Sequence, residues 1–232
     1  MRLAVLSDAH GNEAYFNKCI AAIEKHNPDR IIFLGDCFGY MRGGDIILSK
    51  LREMKAQLLL GNHEAMLLGK LPYSAEKEEI YGLKSDRENI SDSNIKCIEG
   101  LSSVLYEEMD DKKILFVHGS PDNPLNGYLY ENDKLYHWDD NPYEFVFMGH
   151  THYPYLKKVG TTTYVNVGSC GLPRDYGTAS SYAIFDTQTG KVVIYRILVD
   201  REEIEKVTRQ KVHSSVYECL SRKGNNLCLK LM

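Results

Sequence analysis

With 232 residues, 43% of them hydrophobic, 26% charged, and a formal net charge of -4, the chain suits one large domain, or a domain with a small appendage, and has ample apolar material for a core. A mildly acidic chain without a Lys/Arg block argues against a bulk nucleic-acid binder or an anionic-membrane binder, and no stretch reaches the length of a membrane-spanning helix. Six cysteines without a CxxC pair read as free buried thiols, and the N-terminal apolar run is too short for a signal peptide, so a cytoplasmic protein is expected.

Leu3–Ser7 reads as a buried strand that stops at a polar turn. From Asn12 to His26, the residues Phe16, Cys19, Ile20 and Ile23 recur at helical spacing. Asn27-Pro28 ends that helix, because the residue before proline avoids the helical region. Ile31–Leu34 predicts a second strand, Ile46–Lys55 a helix and Leu58–Leu60 a third strand. Such alternation begins a parallel sheet with right-handed crossovers. Residues 70–103 are polar, with helix starts near Ser74 and Ser91. Lys113–Val117 predicts a strand paired across Asp110-Asp111 with Val104–Glu108. Phe145–Met148, Thr161–Val167, Tyr182–Phe185 and Val192–Leu198 follow as strands, the last two joined by the turn Thr187-Gln188-Thr189-Gly190. The expectation is a mixed α/β fold, parallel first and antiparallel later. In the tail, Asp200 and Glu203 form a helix-start pattern. Ile204, Val207, Val212 and Val216 make an imperfect apolar stripe, either packed on the body or forming a contact between copies in a homo-oligomer.

Five polar clusters stand where apolar strands stop: Asp8-Ala9-His10, Gly35-Asp36, Gly61-Asn62-His63-Glu64, His118-Gly119 and Gly149-His150-Thr151-His152. They hold five of the eight histidines. In open α/β sheets the functional crevice lies at the carboxyl ends of the strands, so these side chains are expected at one rim. Two carboxylates, an amide oxygen and several imidazoles suit borderline divalent metals. They exceed what one ion needs, and Asp36 has two oxygens with which to bridge a pair. Two such ions with Asp8, Asp36 and a hydroxide leave a net charge of about +1, which draws in an anionic phosphoryl group.

The order D-x-H, GD, GNHE, HG and GHTH resembles the calcineurin-like metallophosphoesterase superfamily, over roughly residues 3–198. The stretches His118–Pro121, Pro124–Tyr130 and Gly168–Asp175 resemble its compact bacterial and archaeal branch. The resemblance implies a four-layer α/β/β/α sandwich of two mixed sheets flanked by helices. It implies a main domain over 1–198, with 70–142 partly forming a substrate entrance or lid, and a C-terminal helical extension over 199–232. It further implies two divalent ions, manganese first, with iron, nickel, cobalt or zinc as alternatives. Asp8, His10 and His152 would hold one ion and Asn62, His118 and His150 the other, with Asp36 bridging. His63 would lie over the phosphate, and Asn62, His63 and Arg174 would contact the substrate. A metal-bridging hydroxide would attack in line, with Asp36 and His63 as the catalytic pair. Glu64 stands where many members have Asp and is expected to support its neighbour.

The activity this implies is hydrolysis of a small phosphorylated substrate, with a phosphodiester favoured. A dinucleoside polyphosphate and a phosphomonoester or phosphoprotein are alternatives, as is a non-catalytic metal-binding scaffold. Arg174 either grips phosphate or forms an ion pair with Asp175 or another carboxylate. Tyr128, Tyr130, Tyr136 and Trp138 either stack a nucleobase or pack a lid. Cys37 and Cys170 are read as packing residues, and His26, His137 and His213 as ordinary hydrogen-bonded histidines.

Overall fold

The first strand, β1 (Arg2–Leu6), is apolar on both faces because both are covered. Leu3 and Val5 enter one core cluster, Ala4 and Leu6 another, as the two-residue period of a strand requires. The computed structural model describes residues 1–134, 141–200, 202, 203, 205, 212–224 and 230–232. In it β1 lies parallel to β2 (Arg30–Phe33), and β2 parallel to β3 (Gln57–Leu58). The crossovers carry α1 (Glu13–Glu24) and α2 (Gly44–Glu53). Asn12 caps α1, its side chain accepting from the Tyr15 N–H at 3.3 Å, so Asp8 is not used as the cap.

Four short helices follow: α3 (Asn62–Leu67), α4 (Ala75–Tyr81), α5 (Leu83–Asn89) and α6 (Asp92–Glu99). The second sheet is built from β4 (Val104–Met109), β5 (Lys112–Val117), β6 (Phe145–Met148), β7 (Tyr155–Val159) and β8 (Thr162–Asn166), in the order β4-β5-β6-β8-β7. Then β9 (Ala179–Asp186) and β10 (Lys191–Leu198) return to the first sheet. With the edge strand β11 (Lys230–Leu231), its order is β11-β10-β9-β1-β2-β3.

Two features depart from the sequence reading. The centre of the second sheet is parallel, β5 with β6 and β6 with β8, so the later half is not simply antiparallel. The strand β7 was not foreseen because Lys157 and Lys158 hide its pattern; lysines suit an edge strand, where they discourage pairing with another chain.

The sheets face one another across Leu3, Val5, Ile32 and Leu34 on one side and Phe116, Phe147 and Val165 on the other. On the outer face of the first sheet lie Phe16, Leu51, Met66, Leu83 and Ile98 from the helices. The result is two mixed sheets flanked by helices. In the tail, α7 (Ser214–Leu220) packs Val216, Cys219 and Leu220 on Tyr15, Met41 and Leu172. Ile204, Val207, Tyr136, His137 and Trp138 lie outside the described residues.

Candidate metal centre

Each polar cluster follows a strand end: Asp8 and His10 after β1, Asp36 after β2, Asn62 and His63 after β3, His118 after β5, His150 and His152 after β6. None of these eight side chains is more than 5% exposed. Asp8, His10, Asp36, His150 and His152 have φ between 47° and 64°, a left-handed conformation that costs a non-glycine residue about 1–3 kcal/mol and concentrates at functional sites. Backbone bonds hold it in place, Asp8 N–H to Gly35 O and His10 N–H to Asp36 O, both at 3.0 Å. Gly61 and Gly149 let the turns close, since a Cβ would lie 2.1 Å from Asp36 Oδ1 and 2.5 Å from Asp8 Oδ2 respectively.

The ligand-type atoms converge. His10 Nε2 lies 3.0 Å from His152 Nε2, and His152 Nε2 lies 3.2 Å from Asp8 Oδ1. His118 Nε2 is 2.9 Å from Asn62 Oδ1 and 3.2 Å from His150 Nδ1. Asp36 Oδ2 stands between the groups, 3.4 Å from His118 Nε2, 3.8 Å from His10 Nε2 and 4.0 Å from His63 Nε2. Three sets have donor atoms mutually within 4.8 Å: Asp8, His10 and His152; His10, Asp36 and His63; Asp36, His118 and His150. All nine residues singled out from the sequence except Arg174 thus meet in this cluster of donors, and Arg174 lines the same small cavity.

The donor set fits divalent cations on the geometry of its imidazoles. His10, His118 and His152 direct Nδ1 to the backbone oxygens of Phe38, Leu34 and Leu172 at 3.0, 3.1 and 2.6 Å. That fixes Nδ1 as the donor and turns the Nε2 lone pairs inward, as metal-ligating histidines are fixed. Two inward lone pairs at 3.0 Å repel unless a proton or a cation lies between them. Asp8 Oδ1, His63 Nδ1 and His150 Nε2 are buried and make no hydrogen bond among the described residues, which a native interior rarely tolerates.

The electrostatics agree. Burial would raise both carboxyls, yet the surrounding histidines, His152 first for Asp8 and His118 first for Asp36, hold each far below its ordinary value. Burial pushes His150 down to about 3 and His152 down to about 4, so both are uncharged at neutral pH, the form in which an imidazole can hold a cation. Burial also opposes protonation of His118, but the Asp36 charge lifts it to about 9. A cation competes with that proton for the same lone pair, so its uptake releases the proton.

Further side chains surround this cluster. Glu64, 2% exposed, accepts the Asp36 N–H at 2.8 Å, the Cys37 N–H at 2.6 Å and the Gly61 N–H at 3.0 Å. It stitches the β2 and β3 turns together. Ser169 donates to Asp8 O at 2.7 Å and accepts the Leu172 N–H at 2.6 Å, which backs the turn whose Leu172 oxygen orients His152. Tyr40, Tyr81 and Tyr128 line the cavity, the last with its ring centroid 4.2 Å from that of His150. Tyr40 and Tyr81 follow no strand-end motif, and only tertiary packing brings them in. Arg174 does not pair with Asp175, which Arg196 takes at 2.5 and 2.9 Å; its Nη2 donates to the Tyr40 hydroxyl at 3.2 Å. Cys37 and Cys170 lie in the core, where burial raises their thiols well above the ordinary value.

Asp86 ties the polar helices to this site, accepting the Gly39 N–H at 2.8 Å. Burial lifts its carboxyl from 3.8 to about 6. The folded state therefore holds the proton more tightly than the unfolded one; that stability is full below pH 3.8 and is lost as pH rises through about 6. Asp86→Asn keeps an oxygen acceptor and removes the slope. Its melting temperature relative to the natural chain is expected to be more favourable at about pH 7.5 than at about pH 3.5; thermal melts of both proteins at the two pH values check this.

Two mixed sheets with a buried Asp/His rim at the strand ends define a metallophosphoesterase fold. Residues 1–190 match the calcineurin-like phosphoesterase superfamily domain, and the chain belongs to that superfamily. A protein of Methanocaldococcus jannaschii without an assigned function is 27% identical over 231 residues, covering 90% of this chain and 93% of its own. The crystal structure of a metallophosphoesterase from Sphaerobacter thermophilus is similar at 21% identity and a TM-score of 0.80, covering 95% of this chain and 98% of that one. A hypothetical protein from Pyrococcus horikoshii is similar at 19% identity and a TM-score of 0.81, covering 97% and 99%. Among the described residues no helix is long and apolar enough to cross a membrane.

Proposed function

We propose that the chain is a dinuclear-metal phosphoesterase that hydrolyses a small phosphorylated molecule, with a phosphodiester favoured. The observation that carries this is the sharing of Asp36 between donor sets on either side of it. Asp8, His10 and His152 would hold one ion, Asn62, His118 and His150 the other, and Asp36 both. When bound, such ions polarise phosphoryl oxygens and lower the pKa of water. Ligand type admits manganese, iron, cobalt, nickel or zinc, and manganese is the first choice.

The chain's own groups do the rest. Asn62 contributes an oxygen without a charge, so the pocket stays positive toward phosphate. His63 differs from His10, His118 and His152 in having no backbone carbonyl on Nδ1, and its Nε2 stands 4.0 Å from Asp36 Oδ2, farther than that of His10 or His118. Burial holds it down to about 3. At neutral pH it is therefore uncharged, and it serves as an N–H donor to the phosphoryl oxygens as charge develops there. Arg174 has guanidinium N–H groups beyond the one on Tyr40 and offers them to a phosphate oxygen.

The test strips metal from the protein, adds manganese back and assays a chromogenic phosphodiester. Hydrolysis is expected only after addition. In His63→Ala, kcat is expected to fall about 10²-fold while elemental analysis finds the metal content of the natural chain. Metal loss in that variant would make His63 a ligand instead. No hydrolysis of any ester with or without manganese would leave a metal-binding scaffold, the reading from a different class.

A further inference from the structure

Beside the metal rim lies a second cavity of ≈ 260 Å³. Tyr40, Tyr81 and Arg174 line both spaces, so the cavity begins where the metal pocket ends. Its remaining lining is mostly apolar: Leu172 on the turn behind the site, Ile80 on α4, and Val216 and Cys219 on α7. The last helix lies beyond residues 1–190, the part matched by the superfamily domain.

This wall is fixed. Cys219 Sγ donates to Pro173 O at 3.4 Å, and Gly177 N–H donates to Arg222 O at 2.8 Å. A Cβ on Gly177 would lie 2.3 Å from Leu220 O, so turn and helix are in direct contact. Arg222 closes one edge, donating from Nη1 to Arg174 O at 3.0 Å. Neither Arg174 nor Arg222 has a carboxylate partner among the described residues, Asp175 being engaged by Arg196.

We propose that this cavity receives the organic group of the substrate, and that the substrate is a phosphate ester bearing an aromatic ring. The inference rests on the phosphoesterase reading above and specifies its substrate class. The apolar walls penalise a hydrated group such as a sugar, whose hydroxyls would lose water without gaining partners. Two tyrosine rings and two guanidinium planes offer flat surfaces on which a ring stacks. Arg174, common to both spaces, spans the junction between the anionic head and the ring.

Calorimetric titration of the manganese-loaded full chain with phenylphosphonate and with methylphosphonate separates the two parts, because the ligands share an anionic head and differ in the ring. Phenylphosphonate is expected to bind at least about tenfold more tightly, from the apolar area it buries. Ser215→Trp, which fills the cavity from α7, is expected to abolish that preference and leave methylphosphonate affinity unchanged. Ile80→Trp fills it from the opposite wall and serves if Ser215→Trp does not fold. Equal affinities in the natural chain, or a preference undiminished in a folded tryptophan variant, overturn the inference while the phosphoesterase reading stands. Failure of that reading looks different: neither phosphonate binds and no ester is hydrolysed.

Discussion

Asp36→Asn is expected to lower kcat/KM for a phosphodiester by about 10³-fold or more, the largest effect of any single change in the chain. Its carboxylate contributes to two of the three donor sets, so on the dinuclear reading proposed above the substitution would weaken both ion sites together. A bridging carboxylate supports several kcal/mol of charge stabilisation, and each 1.4 kcal/mol is about tenfold in rate. The fold should survive, because the asparagine oxygen can still accept the His63 N–H that Asp36 Oδ1 accepts at 2.9 Å. The amide also removes the largest of the charges that lift His118. Steady-state kinetics, elemental analysis and a thermal melt on one preparation check the prediction. Retained turnover with full metal content would show that the two sets do not depend on a shared oxygen.

Glu64→Ala is expected to act on stability first and on the site second. It removes the acceptor of the Asp36, Cys37 and Gly61 N–H groups, all buried. An unpaired buried donor costs about 1–3 kcal/mol, so three cost several. Part is offset because burial and the Asp36 charge already lift the Glu64 carboxyl to about 7, which marks it as an uncomfortable ion at neutral pH. A net loss of about 3 kcal/mol is expected, equivalent to a fall of about 10 °C in Tm for a chain of this size. Metal affinity should fall as well, since the same bonds hold the turn that carries Asp36. Glu64→Gln keeps one oxygen and should lie between. An unchanged Tm in Glu64→Ala would mean that water or a relaxed turn satisfies the three donors.

The sequence carried most of the fold because its signals are local. Strand β1 declares itself through an uninterrupted apolar run, β4 and β5 through two strand-like runs either side of the turn Asp110-Asp111, α1 through the spacing of Phe16, Cys19, Ile20 and Ile23. The candidate ligands were legible for the same reason: each stands directly after a strand, in a short polar cluster with glycine beside it. Strand β7 was missed because an edge strand faces water and lacks an apolar period. Arg174 stayed ambiguous because nothing local shows that Asp175 is taken by Arg196, 21 residues away in sequence.

By itself, then, the order of residues determined a mixed α/β chain with Asp8, His10, Asp36, Asn62, His118, His150 and His152 at strand ends. Only the tertiary structure decided that the two sheets bring their parallel strand ends to a common rim, that Asp36 stands between two sets of donors, and that Tyr40, Tyr81 and α7 wall the space beside it. The physical reason is one of range. Periodicity and turn chemistry act over a few residues and leave a mark in sequence, whereas inter-sheet packing and the engagement of a charge by a distant partner depend on positions far apart along the chain.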